Sequence, residues 1–132
     1  MYPLRHRHYA VRGGVTCKLT LAYYYIHSDA VVSPILAGDG MKVKTAEAIM
    51  YGKPIFATDE ALEGYEVSQL KKIFRCNTSQ EFITAINAYA GKPPYFPFNQ
   101  EIRSLFLEKY HTSCYIKPFK EALLRIPDKK DA

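Results

Sequence analysis

The chain has 132 residues, 48% hydrophobic and 23% charged, which fits one globular domain and leaves little room for a second. Its 18 Lys and Arg against 13 Asp and Glu give +5 and a pI near 9.1, without the dense charge of a dedicated nucleic-acid binder. Average apolar content with 11 Tyr and 7 Phe excludes general disorder, and no run approaches the ~18 apolar residues of a spanning helix.

Residues 1–9 read as an irregular N-terminal remnant, 10–126 as the folded unit and 127–132 as a polar tail. The basic start has no apolar core of the kind a secretory signal carries. His6 and His8 alternate with Arg5 and Arg7 and have no acidic or third imidazole partner nearby, so no metal site is expected. Tyr9–Val15 reads as a short strand ending at Gly13-Gly14. Lys18–His27 reads as a helix with Leu19, Ala22, Tyr23 and Ile26 on its apolar side. Ala30–Leu36 is a buried-type strand whose end Pro34 marks, because proline cannot donate to a central ladder.

A glycine-containing loop leads to a helix over about Val43–Tyr51, which Gly52 stops. Lys53-Pro54 then opens a strand at Ile55–Thr58, and Lys71–Cys76 is the next strand. Thr78-Ser79-Gln80-Glu81 is a capping-box signature ahead of the helix Phe82–Ala90. Gly91 and Pro93-Pro94 end it. Asn99 caps a helix with Ile102, Leu105, Phe106 and Tyr110 on one side. The last helix, from about Ser113, carries Ile116, Phe119, Leu123 and Leu124 at helical spacing. Strands alternating with helices imply an α/β fold with a parallel sheet of about four strands. Cys17, Cys76 and Cys114 are widely spaced, so reduced and mostly buried thiols are expected rather than a disulfide framework.

In parallel sheets ligands bind at the carboxyl ends of strands, in the loops that lead into helices. That rule selects Gly38-Asp39-Gly40-Met41-Lys42-Val43-Lys44, with Glu47 about one turn into the helix. Two glycines permit positive φ and close backbone approach. A helix starting near Lys42 aims unpaired N–H groups at an anion, and Lys42 and Lys44 add to that field. The pattern is neither a P-loop nor a three-glycine dinucleotide fingerprint. A tight turn with a solvated lysine pair is the plainer reading. Glu47 is suited to accept hydrogen bonds from ribose hydroxyls.

The segment 31–66, VVSPILAGDGMKVKTAEAIMYGKPIFATDEALEGYE, resembles the donor-binding segment of family 4-like (group 1) glycosyltransferases, retaining enzymes of the GT-B fold. The ordered matches are Pro34, Gly38, Gly40, Lys44, Glu47, Gly52, Lys53, Pro54, Thr58, Glu63 and Gly64, and the looser likeness covers about residues 10 to 125. The resemblance implies a partial Rossmann-like parallel sheet, the incomplete C-terminal lobe of a GT-B fold. Glu47 matches the second glutamate of the family's Glu-x7-Glu motif, which holds the nucleotide ribose. The first glutamate, which contacts donor-sugar hydroxyls, falls on Asp39, whose shorter side chain keeps the charge but not the reach. The backbone of Gly40, Met41 and Lys42 would meet the diphosphate or sugar. Lys42 and Lys44 would add charge there, or Lys44 would support the loop from outside.

The resemblance further implies a UDP-sugar or GDP-sugar donor, no cofactor or metal, and transfer to a glycan or lipid-linked acceptor in cell-surface polysaccharide synthesis. A cytoplasmic location follows, or one peripheral to the inner face of the membrane. The family's N-terminal lobe has no counterpart here, nor do the two βα units whose Arg and Lys neutralise the leaving diphosphate. The chain alone is therefore expected to be a fragment without turnover, acting with an N-terminal lobe or partner chain, or self-associating through an exposed sheet edge. The alternative is a non-catalytic nucleotide or nucleotide-sugar binding module working with a separate partner. A nucleic-acid role lacks a clustered basic stripe interleaved with aromatics.

Other candidates read as structural. In the family the Glu60, Glu63 and Glu66 turn closes the nucleotide pocket rather than acting as acid and base. Tyr23-Tyr24-Tyr25 reads as core plus surface rather than a base-stacking platform. His27 and His111 are lone imidazoles. The last helix, with Lys117, Lys120 and Arg125, reads as packed, the other reading being contact with an anionic membrane.

Overall fold

The structure, a computed structural model, describes residues 17–126. The strand expected at Tyr9–Val15, the His6 and His8 pair and the tail 127–132 lie outside the described residues. The chain runs α1 (Lys18–Ile26), β1 (Val31–Ser33), α2 (Val43–Met50), β2 (Ile55–Ala57), α3 (Asp59–Leu62) and β3 (Ile73–Arg75). It continues through α4 (Ser79–Tyr89), α5 (Gln100–Leu105), a π-helical turn (Phe106–Tyr110) and α6 (Ser113–Leu124). The strands are parallel in the order β1-β2-β3, with Val31 opposite Ile55 and Ile55 opposite Ile73. Among the described residues the fold is thus mixed α/β, a small three-stranded parallel sheet with flanking helices.

All three residues of β2 are buried, as a central parallel strand covered on both faces requires. The register places Val32, Phe56 and Phe74 on one face. There Phe56 and Phe74 stack at 4.6 Å, and Tyr89 of α4 meets both rings edge-on at 5.5 and 5.8 Å. Val31, Ile55 and Ile73 belong to the other packing layer, with Ala48 and Ile49 of α2 and Ile102 of α5. Leu105, Phe106 and Tyr110 pack against this cluster, the side their spacing selects.

Local chemistry sets the boundaries. Gly52 N–H donates to Ile49 and Lys53 N–H to Ala48, the wrap that closes a helix when the residue after its C-cap is left-handed. Gly52 holds φ +61°, and a Cβ there would lie 2.8 Å from the Asn99 carbonyl oxygen. The Thr78/Glu81 capping box is complete, and the Asn99 side chain accepts from Ile102 N–H. Thr58 likewise caps α3, a helix absent from the sequence expectation. Asp59 and Glu60 in its first turn were the readable sign.

Two expectations are overturned, and one helix that forms as expected leaves its apolar side uncovered. The α1 side carrying Leu19, Tyr23 and Ile26 is exposed, Leu19 at 82%, and no residue of α1 is buried. The helix is held instead by its C-terminal turn, where Tyr25 stacks on Tyr51 at 4.9 Å. The packed reading of the last helix fails as well: α6 has no buried residue. Finally, only Cys76 is buried; Cys17 is exposed and Cys114 half-buried, all three as free thiols. The reason is shared, since periodicity identifies an apolar side but not whether another element covers it.

The segment Gly52-Lys53-Pro54 supplies a buried fastening. Lys53, 2% exposed, donates from Nζ to the carbonyls of Ile26 (2.9 Å), Ser28 (3.1 Å) and Pro97 (2.9 Å). One ammonium thereby joins the end of α1, the entry to β1 and the approach to α5. Burial pushes its pKa down, and the Asp29 carboxylate acts the other way.

Candidate functional site

The loop after β1 rises from Pro34 and enters α2 at Lys42, its N-cap residue. Gly38, Asp39, Gly40 and Met41 are exposed, with φ +145° at Gly38 and +69° at Gly40. Nothing lies within 4 Å of where a Gly40 Cβ would stand, so the backbone there is open to a ligand. Whereas Thr58, Thr78 and Asn99 cap α3, α4 and α5, no side chain caps α2. Thr45 N–H turns back to the Lys42 carbonyl (3.1 Å), which leaves the Val43 and Lys44 N–H groups without a partner among the described residues, at the partially positive end of the helix.

Hydroxyls brace the loop from beneath. Thr58 Oγ1 donates to the Ile35 carbonyl and accepts from Ala61 N–H (3.1 Å). Thr45, fully buried, donates to the Ala61 carbonyl at 2.6 Å, and the Tyr65 hydroxyl to the Lys42 carbonyl at 2.8 Å. A Cβ on Gly64 (φ +82°) would approach Met41 Cγ to 2.5 Å, so the Met41 side chain lies directly against that glycine. These contacts join β1, α2 and α3 at the carboxyl end of the sheet.

Lys42 behaves otherwise than expected. Its Nζ turns back under the loop, donating to the Gly40 carbonyl (2.6 Å) and the Gly38 carbonyl (3.2 Å). It also lies 2.9 Å from Glu60 Oε1 and 3.8 Å from Glu63 Oε2. The charge expected to point at a phosphate is therefore used to hold the loop and is met by carboxylates. Lys44 and Val43 are exposed on the first turn of α2, and Lys44 has no partner among the described residues. Asp39 likewise is exposed and unpaired there.

Glu47 is half-buried one turn further on and accepts from the Tyr25 hydroxyl at 2.8 Å through Oε2. Burial and the Glu47 carboxylate push the Tyr25 phenol pKa well up, so at neutral pH the proton stays on Tyr25. That hydrogen bond orients the carboxylate and leaves Oε1 as its second acceptor. The sequence marks Tyr25 only as one of three tyrosines; its pairing with Glu47 spans 22 positions and had no local signal.

The acidic turn divides. Glu60 and Glu63 close on Lys42, while Glu66 forms an ion pair with Lys109. Tyr23 and Tyr24 are exposed, and His27 stacks on Tyr23 at 4.1 Å. A cavity of about 520 Å³ lies elsewhere, between α4 and the 92–99 segment, lined by Phe74, Tyr89, Pro93 and Phe98. A second, about 380 Å³, lies beside Glu66 and Glu108. Neither includes a residue of the 38–44 loop. Among the described residues no cluster of three or more His, Cys, Asp or Glu could hold a metal, and no helix is long and apolar enough to cross a membrane. Comparison with protein-family models, with curated proteins and with solved structures returned no match.

Proposed function

We propose that this chain forms part of the donor-binding lobe of a family 4-like GT-B glycosyltransferase, seating a nucleotide diphosphate sugar on Gly38–Lys44 and Glu47. The reading rests on one juxtaposition: an uncapped helix N-terminus behind two positive-φ glycines, with an oriented carboxylate one turn away. The α2 N–H groups and the backbone of Gly40, Met41 and Lys42 would hold the diphosphate, with Val43 and Lys44 beside it. Glu47 would accept from the ribose hydroxyls. Asp39, exposed on the loop, would face the donor sugar. In the intact enzyme the sugar would pass to a glycan or lipid-linked acceptor bound by the N-terminal lobe, with the loop stabilising the departing diphosphate.

A specific observation favours a second reading, a nucleotide-sugar binding module without catalysis. Lys42 is already met by Glu60 and Glu63, so it adds little net charge to stabilise a leaving group. Calorimetry with UDP and GDP, repeated on Glu47→Ala, tests the site common to both readings. Loss of a ribose hydrogen bond to a carboxylate should weaken binding by about 1–3 kcal/mol. Equal affinity of the two forms, or no binding by either, would reject the ribose role. Turnover of a nucleotide sugar then separates transferase from binding module.

A further inference from the structure

The opposite end of the sheet carries a cavity with chemistry of its own. Pro54 and Lys72 stand immediately before β2 and β3, so the cavity of about 520 Å³ that they help to line opens at the amino ends of the parallel strands. The Gly38–Lys44 loop lies at their carboxyl ends. Both walls are held in place. On one side Tyr89 of α4 meets the stacked Phe56 and Phe74 rings edge-on. On the other, Phe96 N–H donates to Asp29 Oδ1 (2.9 Å), Asn99 N–H to the Gly52 carbonyl (2.7 Å) and Lys53 Nζ to the Pro97 carbonyl (2.9 Å). Rings form much of the lining, among them those of Phe74, Tyr89, Pro93, Pro97 and Phe98. Its charged residues are of one sign: Lys72 and Lys92 line the cavity, and no Asp or Glu does. Lys72 Nζ stands over the Tyr89 ring, 5.8 Å from its centroid. Neither ammonium is paired with a carboxylate among the described residues.

We propose that this cavity binds a small aromatic acid, a flat ring system of naphthalene size or larger bearing one carboxylate. Its volume falls within the ~300–1,000 Å³ of small-molecule sites, and its walls are already formed. Aromatic and proline rings offer flat faces, which suit a stacked ring better than a branched aliphatic chain. Charge fixes the sign of the ligand. Two lysines complement an anion and repel a cation, and no lining carboxylate competes for them. A nucleotide is poorly matched here, because an apolar lining leaves the polar groups of its base and ribose without partners. The site is separate from the proposed nucleotide seat, so the two can be tested independently.

Amide chemical shifts of the full chain are followed during titration with naphthoate and with its neutral amide, naphthamide. Naphthoate should give saturable shifts at Lys72, Phe74, Tyr89, Lys92 and Phe98, with those of Gly38–Lys44 unmoved. It should bind at least about fivefold more tightly than naphthamide, the factor that one charge pair in contact contributes even at the dielectric of water. Lys72→Gln combined with Lys92→Gln should remove that preference and leave naphthamide binding in place. Ala88→Glu, which puts a carboxylate into the lining, should weaken naphthoate at least about fivefold. All three positions are exposed, so circular dichroism and the urea midpoint should match the parent. Equal affinity of the parent for naphthoate and naphthamide, absence of shifts at the cavity, or displacement of naphthoate by excess UDP overturns the proposal. A concentration-dependent dimer that Ala88→Glu dissociates would assign the cavity to a second copy and overturn it as well.

Discussion

Replacing Lys53 with methionine keeps most of the side chain's length and apolar stem while removing the ammonium. Three carbonyls, of Ile26, Ser28 and Pro97, then lose their shared donor. Hydrogen bonds to a charged group contribute about 1.5–3 kcal/mol each. Set against this, the substitution removes an ammonium whose burial costs several kcal/mol. The balance is a destabilisation of about 2–4 kcal/mol, since carbonyls left without a partner retain their desolvation cost. With a urea m-value of about 2 kcal/mol/M, the unfolding midpoint should fall by ~1–2 M. The damage should also be directed. Proteolysis or amide exchange should show loosening of α1 and of the chain around Pro97 before the sheet opens. A midpoint within ~0.25 M of the parent, with α1 equally protected, would refute the fastening role of Lys53.

Gly52→Ala should destabilise by more than about 1 kcal/mol, because φ is +61° and the new Cβ would press on the Asn99 carbonyl; an unchanged melting curve would contradict this. Gly64→Ala should disturb the Gly38–Lys44 loop through Met41 and weaken UDP or GDP binding at least about fivefold, whereas unaltered calorimetry would separate Gly64 from the proposed site. Arg75, with Asn77, holds the Asp59 carboxyl below its ordinary 3.8, so its stabilisation is present above that value and fades as pH falls through the lower folded pKa. Urea titrations should therefore show a shallower acid decline for Asp59→Asn than for the parent; parallel declines would count against the interaction.

Features governed by neighbouring residues were legible in the sequence. Gly52 ends α2 because a left-handed residue lets the next N–H groups reach back, and the Thr78/Glu81 box needs only four residues. Pro34 and Asn99 mark their boundaries for similarly local reasons. The π-helical turn after α5 was not legible, because the Phe106 and Tyr110 spacing suits a continuous helix equally well. The loop's position at the end of β1 was legible from the alternation of strand and helix. Its internal wiring was not: Lys42 to Glu60 and Tyr25 to Glu47 bridge 18 and 22 positions. Periodicity also located the apolar sides of α1 and α6 without revealing that both face outward.

The proposed function stands on one claim, that the loop entering α2 is a nucleotide diphosphate seat. Amide chemical-shift mapping of the full chain during titration with UDP and with GDP tests it residue by residue. Saturable shifts are expected at Gly38–Lys44 and Glu47, with smaller ones at Tyr25, Gly64 and Tyr65, for at least one nucleotide. Absence of shifts with both, or shifts confined to the α4 and 92–99 cavity, would contradict it.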